Sequence, residues 1–258
     1  MNILASDIIE RFYTFLWPML RISALLMSAP IFSLRALNVR MRVLLAVALT
    51  WMIYPLFDWP VMDPVSPSGL VEVFNQLSIG LLMGLSLQVI TAAILLAGQS
   101  ISTAVGLSMA MLMDPNLGNV PVVAQFVLIL ASLIFVSLGG HTMLLALVVD
   151  SFSSLPIGKG LLTADAWAHF LKWSSMIFLG ALLMALPVMI TMLFVNIGLG
   201  VATRAAPSLN IFSLGLPVMI VAGFVLMMVA LPSIAARIEW LWLQGFIEIR
   251  GQIGLQAG

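Results

Sequence analysis

Ser108 in "GLSMA" and His141 in "GGHTM" are the closest approach to a nucleophile and its base in this sequence. A hydroxyl held against an imidazole performs acyl transfer, and intramembrane serine proteases place such a pair on separate helices. "GLSMA" lacks the second glycine of a G-x-S-x-G elbow, where a sharp turn exposes the hydroxyl. A lone serine in an apolar segment ordinarily bonds its own helix backbone instead. No HExxH and no glycine-rich phosphate loop occurs, and no carboxylate pair lies within an apolar helix. With no cysteine in the chain, disulfides, thiol catalysis and thiolate metal sites are excluded. A protease therefore stands only as an alternative resting on one degraded motif.

Ionisable residues within apolar segments are functional suspects. Arg21 lies in the middle of one, and its head reaches an interface only if that helix is short or tilted. Glu72 and Asp150 fall near segment ends, so the carboxylate relay of a proton-coupled carrier is missing. A small secondary transporter, the other alternative, would also tend to show two matching halves with interrupted helices. The sequence shows no such repeat.

The elements that must carry these residues follow from composition. Of 258 residues, 62% are hydrophobic and 8% charged, against roughly 25% charged in soluble domains. One globular core cannot hide that much apolar surface, so lipid or partner proteins cover the rest. The net charge of zero supplies no basic field for nucleic acid. The opening "MNILASDIIERFYTFLWPML" carries Asp7 and Glu10 before its first basic residue, and so reads as mature structure rather than a signal peptide. The expectation is an all-α membrane protein, a single domain over 1–258.

Six hydrophobic runs, at about 12–34, 43–57, 70–98, 121–149, 170–198 and 214–236, predict the helices. They are uneven. A bilayer core needs ~20 helical residues, which the second run misses and the third and fourth exceed. Pro18, Pro30, Gly80, Gly84, Pro187, Gly198, Gly200, Pro217 and Pro232 supply kinks, and backbone groups freed at a proline need protein or water, because lipid offers no partner. Kinked hairpins suit an assembly better than six lone spans. "GLLMG" places Gly80 and Gly84 one turn apart as a helix-contact face. Residues 236–258 mix Trp240, Trp242 and Phe246 with Arg237, Glu239, Glu248 and Arg250, the pattern of an interfacial or partner-docking amphipathic tail. The basic cluster "RALNVRMR" at 35–42 favours a cytoplasmic loop, but the other loops oppose it, and charge assigns no topology.

Between the third and fourth runs stands "GLSMAMLMDPNLGNVP" (106–121), three methionines followed by a helix breaker. Pro115 disfavours α geometry at Asp114. In an extended backbone Met109, Met111 and Met113 would share a side, whereas in a helix Met111 would point away. Methionine fills irregular gaps and repacks easily, a property equally suited to a core and to a displaceable seal.

The stretch "VATRAAPSLNIFSLGLPVMIVAG" (201–223) resembles the FliR family of flagellar type III export proteins and its counterparts in virulence-associated secretion. The match is to an R-x-x-P-x-x-N-x-F-x-x-G-x-P run, filled by Arg204, Pro207, Asn210, Phe212, Gly215 and Pro217. Ser208 departs from it, standing where the family commonly has glutamine. "GGHTMLLALVVDSFSSLPIG" (139–158) and the methionine strip running into "DP" and "VPVVAQF" support the match. The resemblance implies a non-catalytic export-gate subunit without cofactor, in the bacterial inner membrane within the flagellar basal body. Its implied partners are FliP, FliQ and an FlhB-like protein, with membrane lipid around it and unfolded flagellar proteins in transit. It implies kinked hairpins packed into a helical hetero-oligomer. It also implies that residues 99–120 form a pore plug, with Met109, Met111, Leu112 and Met113 sealing and Gly106, Pro115 and Gly118 as hinges. Arg204 through Pro217 become a structural or subunit-contact motif, Arg204 and Asn210 being free to bond carbonyls released at Pro207.

Overall fold

The computed structural model describes residues 5–30, 38–107, 121–159, 162–205 and 215–255. The described residues form eight α-helices: α1 (Ala5–Ser28), α2 (Val39–Ile53), α3 (Pro67–Ala104), α4 (Val122–Ser137), α5 (Gly140–Ser154), α6 (Ala164–Ser174), α7 (Met176–Ala205) and α8 (Leu216–Gln252). No strand occurs among them, as an all-α membrane protein requires.

Helix ends are written in local chemistry. Asp63 folds the segment before α3 into a turn, its side chain accepting from the Val65 amide at 2.9 Å. Ser66 then caps α3: its hydroxyl accepts from the Gly69 amide at 3.0 Å, and Pro67 occupies the first helical position. At the far end of α8, Leu255 N–H donates to the Arg250 carbonyl and Gly254 N–H to Gly251, with Gly254 at φ +77°. That is a left-handed glycine cap of the Schellman type. Pro18, Pro187 and Pro232 lie inside α1, α7 and α8, and the helices run through all three.

Among the described residues, four helical stretches are long and apolar enough to cross a membrane, Val39–Leu56, Pro67–Ala104, Ala164–Ala205 and Pro217–Gln252. The α4–α5 pair makes a fifth if its two helices count as one broken span. The count differs from the six hydrophobic runs for two reasons. The first run falls in α1, which does not qualify and carries Asp7, Glu10, Arg11 and Arg21. The run at 121–149 is divided where Gly139 adopts φ +67°, a conformation that glycine enters without steric penalty. α3 spans 38 residues, roughly 57 Å at 1.5 Å per residue, well beyond a ~30 Å hydrocarbon core.

The chain divides into two compact units, and α3 and α8 contribute to both. The first comprises residues 1–89, 139–174 and 244–258. In it α1 presents Trp17, Arg21, Ile22, Leu25 and Leu26 inward, at the three- and four-residue spacing of one helix face. Gly80 and Gly84 of α3 meet that face directly. A Cβ on Gly80 would collide with the Arg21 carbonyl oxygen, and one on Gly84 with the Ser28 hydroxyl. Backbones this close are what a small-xxx-small pair permits. Further along α3, the Ser86 hydroxyl donates to Gln252 Oε1 at 2.8 Å, while Trp173 Nε1 donates to the Ser86 carbonyl at 3.0 Å.

The second unit comprises residues 90–138 and 175–243. Its core is a seam of small residues: Ala93, Ala97, Ala124, Ala131, Gly180, Ala181 and Ala185 are buried. A Cβ on Gly98 would strike the backbone of Ala124, and one on Gly180 would press on Leu241 and Ala93. Trp242 lies against this seam, donating Nε1–H to the Ala131 carbonyl at 3.1 Å and meeting the Phe135 ring edge-on at 4.9 Å. The 236–252 stretch is thus the end of α8, continuous with the sixth hydrophobic run. Its Trp242 face is covered by α4 of the same chain rather than by headgroups.

Candidate functional site

The polar groups of the first unit converge on Arg21. Its side chain is 1% exposed and lies in the middle of α1, where snorkelling to an interface is impossible and partners must come from the protein. Nε donates to Gln76 Oε1 at 2.6 Å. Nη1 donates to the Ser151 carbonyl at 2.7 Å and to its hydroxyl at 3.0 Å, and Nη2 to the Leu155 carbonyl at 2.8 Å. The guanidinium carbon sits 4.3 Å from the centre of the Phe152 ring, within cation–π range. Gln76 passes the connection on, donating to Glu72, whose charge is felt at Arg21.

Three helices thereby share one cation. At the end of α5 the Ser151 carbonyl already accepts from the Leu155 amide at 3.0 Å, and Arg21 adds N–H donors there and at the Leu155 carbonyl from another helix. The segment after α5 is held twice: at Leu155 by Arg21, and at Leu162, whose amide donates to Asn75 Oδ1 at 2.9 Å. The planar fork of arginine suits this task, since it reaches several acceptors in fixed directions and stacks on an aromatic face. The arrangement binds helices together. Among the described residues no three His, Cys, Asp or Glu side chains gather to hold a metal ion.

A different geometry occurs where α3 ends. Gly106 has φ +85°, and a Cβ there would lie 3.0 Å from the Met219 methyl of α8. The chain thus turns at a glycine just ahead of the methionine strip. Arg204 lies in the last turn of α7 and is exposed. Gly215 is buried immediately before α8, and Pro217 is exposed in the first turn of that helix.

Residues 12–245 match the family described as bacterial export proteins, family 1. The chain is 35% identical over 241 residues to the flagellar biosynthetic protein FliR of Pectobacterium carotovorum subsp. carotovorum, covering 93% of this chain and 92% of that protein. FliR of Escherichia coli (strain K12) is 37% identical over 233 residues, or 90% and 89% of the two chains. FliR of Bacillus subtilis (strain 168) is 29% identical over 233 residues, 89% and 90%. The chain belongs to the FliR family.

As a FliR-family protein it is a membrane component of flagellar protein export. The matched range contains the whole Arg21 cluster. Its acceptors come from "SFSSLP", part of the 139–158 stretch that carried the resemblance, so Ser151, Phe152 and Leu155 acquire a structural reason for being there.

Of the other residues singled out by sequence, Ser108, Met109, Met111, Leu112, Met113, Pro115, Gly118, Pro207, Asn210 and Phe212 lie outside the described residues. His141 is exposed in the first turn of α5. Gly198 and Gly200, read as kink positions, sit within α7 with nothing inside 4 Å of an added Cβ. Sequence reasoning flagged Arg21 and missed its partners Gln76, Ser151 and Leu155. One signal was present: Glu72 and Gln76 are four residues apart on α3, hence on one face.

Proposed function

We propose that this FliR-family chain is a non-catalytic subunit of the flagellar export gate in the bacterial inner membrane. It assembles with FliP and FliQ around the pore through which unfolded flagellar proteins leave, and an FlhB-like protein meets the gate at its entrance. The observation that carries this reading is the family match over 12–245, nearly the full length. Large apolar faces are consistent with it. Phe178, Leu182, Leu193, Phe194 and Ile197 of α7 and Val221, Val225, Met228 and Val229 of α8 are exposed, and only 11% of the most apolar stretch of α8 is buried within the chain. Faces of that size need lipid or neighbouring subunits.

In this reading the strip Met109, Met111, Leu112 and Met113 plugs the closed pore, and the left-handed Gly106, with Pro115 and Gly118, lets it swing. A flexible thioether surface closes an irregular opening without a fixed geometry, and a hydrophobic constriction blocks ions by dewetting. Arg204, Pro207, Asn210, Phe212, Gly215 and Pro217 serve the contact with neighbouring subunits. Energy for transport comes from other export components.

The test is co-purification. An affinity-tagged chain co-expressed with FliP and FliQ is expected to elute from detergent as one large complex holding both. A chain that elutes alone, while FliP and FliQ form their own complex, contradicts the assignment.

A further inference from the structure

Beside the Arg21 cluster, the first unit carries a second feature. The N-terminal half of α1, the end of α2 and the turn that follows it flank an open groove of about 860 Å³, lined by Arg11, Phe12, Phe15, Trp51, Tyr54 and Pro55. That volume falls within the roughly 300–1,000 Å³ of small-molecule sites. Phe15 meets Trp51 at 6.5 Å and Tyr54 at 5.9 Å, so the aromatic walls support one another. Tyr54 is fixed further by a 2.8 Å hydrogen bond between its hydroxyl and that of Thr14. The walls are nonetheless uncovered: Trp51 is 75% and Phe12 61% exposed.

The groove's position indicates its surroundings. α2 belongs to a candidate membrane span of which only 17% is buried within the chain. Just beyond it come two charged residues, Asp58 and Asp63, both exposed. Trp51, Tyr54 and Trp59 cluster at that end, and Trp and Tyr collect where a helix passes from hydrocarbon to headgroups. Among the described residues Arg11 is the single charged one lining the groove. It is exposed, and its guanidinium has no hydrogen bond or ion pair among the described residues, although Asp7 stands one turn before it on α1.

A cation at one edge of an aromatic trough, at headgroup depth, complements an amphiphile with an anionic head and an apolar tail. We propose that this groove binds one anionic phospholipid, its phosphate against Arg11 and an acyl chain along Phe12, Phe15, Trp51 and Pro55. The inference rests on α2 lying in the membrane and not on assembly into a gate, so it is tested on the chain alone.

The full-length chain is placed in phosphatidylcholine nanodiscs containing a small fraction of brominated phosphatidylglycerol or, separately, brominated phosphatidylcholine. The Trp51 share of fluorescence quenching is the difference between the chain and its Trp51→Phe variant. Brominated phosphatidylglycerol is expected to occupy the site roughly fivefold more than its neutral counterpart, the discrimination of one basic residue at an anionic surface. Arg11→Gln is expected to abolish that preference and leave quenching by the neutral lipid unchanged. Equal quenching by the two lipids overturns the proposal, as does a preference that survives Arg11→Gln. A Trp51 that neither lipid quenches, with a cross-linker at Phe12 capturing FliP or FliQ in the assembled complex, overturns it in favour of a protein occupant.

Discussion

Replacing Arg21 with alanine is expected to take away a large share of the chain's stability and to lower the amount of folded chain in the membrane fraction. The variant strands Gln76 Oε1, the Leu155 carbonyl and the Ser151 hydroxyl without their donor, and leaves Glu72 buried with its counter-charge gone. Removing one side of a buried charge network costs about 3–5 kcal/mol, against a total stability of about 5–15 kcal/mol. For a chain of this size that corresponds to a fall of roughly 6–20 °C in the unfolding temperature. Arg21→Lys keeps the charge but loses the fork, and is expected to fall between the two. The double change Arg21→Met with Glu72→Gln removes both charges and is expected to recover part of the loss, since buried ion networks are often replaceable by apolar packing. The checking measurement is the thermal aggregation midpoint of the detergent-solubilised chains. An Arg21→Ala midpoint within a degree or two of the parent's would mean that the network holds nothing together.

Glycine replacement of residues 109–113 is expected to leave the assembled complex intact and make it leak. Each methionine removed takes away a side chain that fills space by adjusting its rotamers, and five glycines leave an opening that water can enter. Ion conductance through the purified complex in planar bilayers should rise severalfold. Exchanging Met109, Met111 and Met113 together for leucine keeps the bulk and hydrophobicity, and is expected to keep the seal while slowing secretion, because leucine repacks less readily. Unchanged conductance in the glycine variant, with FliP and FliQ still bound, would remove the plug from the proposal.

How far the sequence foretold this architecture depended on the kind of contact. The helical membrane class was readable because 8% charge cannot clothe a soluble fold. Gly80 and Gly84, one turn apart, suggested a close helix contact, but nothing in the pattern named α1 as the helix that α3 approaches there. The seam of the second unit was not readable, although it works the same way, because it is built largely from alanines, which are common everywhere and carry no local signal. Arg21 announced that it needed partners without saying which. Two of its four acceptors are backbone carbonyls more than a hundred residues away, and any residue type offers a carbonyl. The run at 121–149 read as one over-long segment although its doubled glycine, Gly139–Gly140, marked the break that divides it into α4 and α5. At the C-terminus the amphipathic period was visible. A period gives the apolar face but not its cover, and for Trp242 the cover is α4.

The Arg21 cluster and the methionine strip divide the labour of the proposed gate subunit. One fixes the meeting of α1, α3 and α5, and the other must yield when a polypeptide arrives. The most direct measurement places a photo-cross-linking residue at Met111 in the assembled complex and arrests a flagellar substrate during export. The substrate is expected to cross-link at position 111 and not at Val229, an exposed position on α8. An arrested substrate that fails to cross-link at 111, or that reacts equally at 229, would contradict a pore at the methionine strip.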